Sequence, residues 1–344
     1  MKATFFKHTL QFKQASGTSR GVLTLKDTWF IKLENNTLKG IGECGMFKGL
    51  SIDHRDDFEL KLKWTCQNID LGLEVLLGQL VSFPSIQFGL EMAFASLNNK
   101  SPFELFPSEF TKGKDSIPIN GLIWMGESSF MKQQIKDKLE GGFSCIKLKI
   151  GALNFERELA LLKSIRNEYD MQTIEIRIDA NGALKPNEAL EKLKQLSEYN
   201  LHSIEQPIKQ GQIDDMAQLC LDTPIPIALD EELIGIFSVT NKQFLLQTIK
   251  PQYIILKPTL VGGFKGSQQW IDVAESNKIG WWVTSALESN IGLNAIAQWT
   301  YTLNNTLPQG LGTGGLFTNN VQAPLVVRSG RLFYDLKTKW NLKF

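Results

Sequence analysis

Histidine is nearly missing from this sequence: His8, His54 and His202 are the only three among 344 residues. Metal binding or acid–base work built on imidazole is therefore not expected, and each histidine reads as structural. Paired cysteines are missing too. Cys44, Cys66, Cys145 and Cys220 form no C-x-x-C unit. They read as reduced, mostly buried thiols of a cytoplasmic protein. No apolar run approaches the roughly 18 residues of a membrane span. The first fourteen residues alternate polar and apolar side chains, so they read as a strand and not as a signal peptide. Neither sign of charge dominates, the net charge being +1, which argues against nucleic acid as a partner. No repeat or low-complexity tract is present. What is there is an ordinary globular composition, 42% hydrophobic and 21% charged. The chain is longer than the roughly 250–300 residues one core usually holds, so a large and a smaller domain are expected.

The pattern along the chain changes once. Residues 5–12 and 21–33 alternate like half-buried antiparallel strands. Loops are expected at 14–20 and 42–51, and helices at 55–68 and 88–98. Pro102, Pro107 and Gly113 mark 99–115 as a boundary. From residue 116 onward short β-rich runs alternate with helical segments. The runs are 117–123, 145–150, 174–179, 203–205, 227–230, 253–257, 280–285 and 309–312. Helical patterns fall at 127–141, 155–169, 186–200, 214–221, 237–247, 266–277 and 290–303. Eight such units predict a closed barrel of parallel strands. The expected division is a domain of 1–115, joined by a returning segment 320–344 in which 331–340 alternates again, around a barrel of 116–319.

Active sites of such barrels lie at the C-terminal ends of the strands. The second run ends in Lys147-Leu148-Lys149, the third at Asp179, the fourth at Glu205, the fifth at Asp230 and the sixth at Lys257. From Lys149 the steps are 30, 26, 25 and 27 residues, one βα unit each. Alone, each residue would be a helix cap or a solvated charge. Five at this spacing predict a ring around the barrel mouth. Asp179, Glu205 and Asp230 fall on adjacent strands, a donor set that suits a hard divalent cation, Mg²⁺ above all, with Mn²⁺ as a substitute. Lys147 and Lys149 leave the same face of one strand, and Lys257 stands four strands away, across the mouth. Asn181, Glu231 and Glu232 are candidates to orient these groups.

At these residues the sequence resembles the enolase superfamily, and more narrowly its o-succinylbenzoate synthases. The resemblance rests on Gly40-Ile41-Gly42-Glu43, Lys147-Leu148-Lys149, Asp179-Ala180-Asn181, Ile204-Glu205-Gln206-Pro207, Leu229-Asp230-Glu231 and Leu256-Lys257-Pro258 with Val261-Gly262-Gly263. The narrower likeness rests on Thr284-Ser285-Ala286-Leu287-Glu288-Ser289 and Gly310-Leu311-Gly312-Thr313-Gly314. It implies a (β/α)7β TIM-like barrel with an α+β capping domain, whose loops 14–20 and 42–51 close over a small carboxylate substrate. It implies Asp179, Glu205 and Asp230 as metal ligands and Lys149 and Lys257 as catalytic groups. Implied substrate contacts are Lys147, Ser285, Glu288, Gly312 and Arg20. Arg177 also fits some members.

The implied reaction is dehydration of 2-succinyl-6-hydroxy-2,4-cyclohexadiene-1-carboxylate to 2-succinylbenzoate in menaquinone biosynthesis. Abstraction of a proton next to a carboxylate creates an enediolate, and a metal against its oxygens lowers that barrier. A lysine serves as base only when neutral, and cationic neighbours with partial burial favour that form. An N-succinylamino acid racemase or a dipeptide epimerase of the same superfamily remains an alternative. The uncharged Gly312-Thr313-Gly314 stretch offers nothing to a dipeptide ammonium group. A silent barrel used as a binding protein is a third reading, opposed by the intact ring. Oligomeric state, monomer or homo-oligomer, is left open.

Overall fold

The structure is a computed structural model. It describes residues 1–342 other than 19, 20, 36, 37, 98, 100, 125, 152 and 153. Strands β1 (Lys2–Thr18), β2 (Gly21–Asn35) and β3 (Leu38–Cys44) form an antiparallel sheet in chain order. The expected loop at 14–20 is largely strand: β1 and β2 stay paired to Thr18, with a register shift between Gln11 and Ser16. Residues 12–15 have no partner in the β2 register, and pairing resumes at Ser16, so a Gly/Ser/Thr-rich stretch returns to a ladder that pattern alone would end. The expected loop at 42–51 likewise opens as strand, since β3 runs through Cys44.

Alternation along β2 gives this sheet two different faces. Trp29, Ile31 and Leu33 enter a core with α1 (Phe58–Gln67), α2 (Leu73–Gln79) and α3 (Pro84–Leu97). Phe30 faces the other way and joins the barrel core. β3 lies backbone against backbone on α3. A Cβ on Gly42 would stand 1.8 Å from the carbonyl oxygen of Gly89, and one on Gly40 2.1 Å from that of Ala93. Close approach is thus the reason for those glycines. α2 escapes pattern reading because it has only two turns.

The barrel follows: β5 (Gly121–Ile123), β6 (Cys145–Lys149), β7 (Glu175–Asp179), β8 (Ser203–Glu205), β9 (Ile227–Leu229), β10 (Tyr253–Leu256) and β11 (Gly280–Val283), parallel and hydrogen-bonded in that order. Between them run α4 (Ser128–Glu140), α5 (Phe155–Glu168), α6 (Pro186–Ser197), α7 (Ile213–Asp222), α8 (Val239–Ile249), a short α9 (Pro258–Val261) and α10 (Gly263–Ser276), with α11 (Asn290–Thr302) after β11. The eighth run is not a full strand but two bridges, Ile119 to Gln309 and Thr284 to Gly310. They still close the ring, through Asn120 N–H to the Gln309 carbonyl at 2.9 Å and Gly310 N–H to that of Val283 at 2.8 Å.

The first run, 117–123, also divides. β4 (Ser116–Pro118) pairs antiparallel with β13 (Arg331–Tyr334), which pairs with β12 (Leu325–Arg328); only β5 pairs with β6. The run is broken by Asn120-Gly121, and the switch falls at that break: β4 ends at Pro118 and β5 begins at Gly121. Beyond β13 the chain reaches the 99–115 segment, where Trp340 stacks on Phe103 at 4.2 Å. Contact with β1 is made earlier: Phe317 bridges Phe12, and Thr318 N–H donates to the Gln11 carbonyl at 2.8 Å. Among the described residues no helix is long and apolar enough to cross a membrane. Cys44, Cys145 and Cys220 are buried, Cys66 is half-buried, and all four are free thiols.

Candidate active site

The strands sort their side chains by period two. Ile146, Leu148, Ile176, Ile178 and Ile204 pack outward into the main core. Their neighbours Lys147, Lys149, Arg177, Asp179, Ser203 and Glu205 therefore turn into the barrel. Register aligns them, with Lys149 opposite Asp179 and Asp179 opposite Glu205. Below lies a floor. Arg177 stacks on Trp282 at 4.3 Å, and its Nε donates to Glu175 at 2.7 Å. Ala228, Ile255 and Trp282 form a small apolar core there, which keeps water from entering the ring from beneath.

Asp179, Glu205 and Asp230 are each no more than 2% exposed. Lys147 Nζ lies 2.9 Å from Asp179 Oδ2 and also meets Glu205 Oε2. Lys149 Nζ donates to Asp179 Oδ2 at 2.9 Å and to Asn181 Oδ1 at 2.6 Å. Lys257 pairs with Asp230 and lies 3.9 Å from Glu205 Oε1. That oxygen is buried and makes no hydrogen bond. Burial pulls Lys147 toward neutrality, but Asp179 and Glu205 outweigh it and hold the ammonium well above the usual lysine range. Burial likewise opposes the charge on Asp179, and Lys147 and Lys149 reverse that, holding it well below the carboxylate range. Glu205 differs: burial, then the Asp179 charge, push it up to about 7. Asp230 is raised by burial in spite of Lys257, while Lys257 is raised by Asp230 and Glu205 in spite of its own burial. Among the described residues no three Asp, Glu, His or Cys side chains converge closely enough to hold an ion as they stand; the lysine ammonium groups sit between the carboxylates.

A cavity of about 860 Å³ opens above this ring. Lys147, Lys149 and Lys257 enter it from below, and Phe47 and Leu50 close it from the N-terminal sheet's loop. Of the expected substrate contacts, Ser285 and Gly312 line the wall, with Ser285 Oγ 2.6 Å from Thr313 Oγ1. Glu288 does not line it. Its carboxylate is fully buried behind that wall, accepting from Thr259 Oγ1 and from the Ala286 N–H at 2.8 Å. A Ser-rich stretch ending in a carboxylate looks like a binding loop in sequence, but here the carboxylate folds back onto its own backbone. Arg20 lies outside the described residues.

A family profile described as Enolase C-terminal domain-like matches residues 131–335. The o-succinylbenzoate synthase of Desulfotalea psychrophila (strain LSv54 / DSM 12343) is 45% identical, across 96% of this chain and 98% of its own length. The chain belongs to the enolase superfamily, among its o-succinylbenzoate synthases. The crystal structure of MenC from Desulfotalea psychrophila LSv54 matches with a TM-score of 0.87 at 43% identity, covering 97% of this chain and 99% of that one. A dipeptide epimerase from Enterococcus faecalis V583 matches with a TM-score of 0.83 at 19% identity, over 96% of each chain, a likeness of fold. As a member of the o-succinylbenzoate synthases, the chain is a lyase.

Gln206 is a part of this candidate site that spacing did not single out. It is fully buried with a positive φ of 38°. Its Oε1 accepts from the N–H groups of Asp230 and Glu232, each at 3.2 Å, and its Nε2 donates to Glu232 at 3.0 Å. Glu232 therefore anchors the turn after β9 and not a lysine. Glu231 instead accepts from Asn181 Nδ2 at 3.1 Å, which places Asn181 Oδ1 toward Lys149. A Gln-Pro pair closing a strand was the available signal.

Proposed function

We propose that the protein dehydrates 2-succinyl-6-hydroxy-2,4-cyclohexadiene-1-carboxylate to 2-succinylbenzoate, a step of menaquinone biosynthesis, in the cytoplasm. The observation that carries this reading is the entry of Lys149 and Lys257 into one cavity from strands four apart, beside three buried carboxylates, in a chain 45% identical to a curated synthase.

Asp179, Glu205 and Asp230 would hold a divalent cation, Mg²⁺ or in its place Mn²⁺. The donor set fits: all three are oxygen ligands, and Glu205 Oε1 is a buried acceptor left without a hydrogen bond. When bound, the cation supplies charge stabilisation next to the substrate carboxylate. Lys147, held cationic, binds that carboxylate. Lys149 removes the adjacent proton, and its two N–H contacts, to Asp179 and Asn181, aim the nitrogen lone pair elsewhere. The resulting ammonium then gives the proton to the departing hydroxyl, so one C–H and one C–O bond break and water leaves as the ring becomes aromatic. Lys257 stays cationic beside Asp230 and faces the planar intermediate.

Racemisation of an N-succinylamino acid is the second reading, favoured by the presence of both lysines in one cavity. The first reading is tested by incubating purified protein with the cyclohexadiene acid and Mg²⁺. Growth of aromatic absorbance is expected, and its absence at micromolar enzyme would overturn the proposal.

A further inference from the structure

The antiparallel sheet meets the barrel through a buried carboxylate. Glu43, at the end of β3, is fully buried. Thr28 Oγ1 on the neighbouring strand donates to its Oε1 at 2.9 Å. The other donors come from the barrel. Ser289 N–H donates to Oε1 at 2.8 Å, Ser289 Oγ to Oε2 at 2.5 Å and Gly292 N–H to Oε2 at 2.8 Å. Four donors fill the roughly four lone-pair sites of a carboxylate. Three of the four belong to the start of α11, where backbone N–H groups lack helical partners and a negative charge is favoured. Ser289 is also that helix's own cap, accepting from Ile291 N–H at 3.1 Å. Glu43 thus caps a barrel helix from another layer of the fold.

A second buried carboxylate lies alongside. Glu288 ties Thr259, two residues beyond Lys257, to the backbone of Ala286. Lys26 of β2 is buried in the same place and donates to the Gly45 carbonyl at 3.4 Å. A Cβ on Gly45 would meet Glu288 Cγ at 3.3 Å and Lys26 Nζ at 3.4 Å, so sheet and barrel loop are in close contact. Glu43, Glu288 and Lys26 do not line the cavity, yet both loops they join do. Phe47 and Leu50 wall it on one side, and Thr284, Ser285, Ala286 and Leu287 on the other.

We infer that Glu43 is a positioning residue for the dehydration: it locks the 284–289 loop to the antiparallel sheet, so that the substrate-binding wall is complete only with the sheet docked on α11. The inference rests on the reaction proposed above.

Glu43→Gln tests it. Glutamine keeps the size but turns one acceptor into an NH₂ donor. Either orientation sets that donor against a backbone N–H, of Ser289 or of Gly292, and no hydroxyl rotation relieves it. KM for the cyclohexadiene acid should rise about tenfold or more, with kcat held within about threefold. Amide hydrogen exchange at residues 284–292 should accelerate by about tenfold, with exchange in β6–β8 unchanged. Ile31→Val provides the control. It lies on the opposite face of the same sheet, so it should lower Tm without moving KM. Should Glu43→Gln not fold, Thr28→Val removes one bond from the same carboxylate without changing shape, and KM should rise by about two- to fivefold. Unchanged KM and unchanged loop exchange in the folded variant would overturn the inference, as would an equal rise in KM for Ile31→Val at matched Tm. A wild-type enzyme inactive on this substrate would overturn the proposed reaction instead, and the exchange measurement would still decide the role of Glu43.

Discussion

Lys149 is held on two sides, by Asp179 Oδ2 at 2.9 Å and Asn181 Oδ1 at 2.6 Å. A neutral amine has two N–H bonds and one lone pair, so accepting both N–H bonds orients the lone pair. Lys149→Ala should therefore cut kcat by at least about a thousandfold. Tm should stay within about 3 °C, because Lys147 still pairs with Asp179 when the Lys149 amine is removed. Steady-state rates and a thermal melt check both, and near wild-type kcat would mean that another group is the base. Glu91 offers a separate check. Its carboxylate accepts from the N–H groups of Phe264 and Lys265, and burial pushes it up to about 7. The folded state then binds more protons than the unfolded chain between about pH 4.5 and 7, so this residue's contribution falls as pH rises through that window, by roughly 3 kcal/mol in total. Glu91→Gln cannot titrate. The wild-type-minus-variant difference in unfolding free energy should fall from pH 4.5 to 7 and level off above, as measured by urea unfolding. The ring itself was legible in the sequence, because each member ends an apolar run at unit spacing. Glu288 was not, since a sequence cannot tell a carboxylate aimed at a ligand from one aimed at its own loop.

Glycine decides how β3 docks. Gly42→Ala would put a methyl 1.8 Å from the Gly89 carbonyl oxygen, and backbone cannot yield as a side chain can. The expected loss is about 3 kcal/mol. Gly78, exposed in α2, has nothing within 4 Å of an added Cβ, so Gly78→Ala should gain about 0.5–1 kcal/mol. Equal effects of the two changes in a thermal melt would refute this account of β3. The alternation of strands and helices was readable because βα units have a constant length. The division of 117–123 is marked by Asn120-Gly121, where β5 begins, but which sheet each half joins was not readable. Nor was the reduction of 309–312 to two bridges: pairing partners belong to tertiary structure, and hydropathy does not encode them. The long hairpin of β1 and β2 hid behind its register shift for the same reason, loop-like residues from Ser16 to Thr18 kept in a ladder by their neighbours across the sheet.

Three carboxylates and three lysines pair with one another in the ring, and the proposed reaction calls for a divalent cation at the carboxylates. Exhaustive chelation should abolish turnover, and Mg²⁺ should restore it; full activity in metal-free protein would remove the metal from the mechanism. The antiparallel sheet, the barrel loops and the ring together define one cavity, and what they select is the central claim. Dehydration needs one base and keeps Lys257 cationic. Racemisation needs a base on each face and returns a solvent proton to carbon. The measurement is kcat/KM for the cyclohexadiene acid, read by aromatic absorbance, against kcat/KM for N-succinylamino acids, read by deuterium uptake from D₂O. The account predicts that dehydration is preferred by about tenfold or more, roughly 1.4 kcal/mol of transition-state stabilisation. A preference of that size for the amino-acid derivative would contradict it and make the protein a racemase.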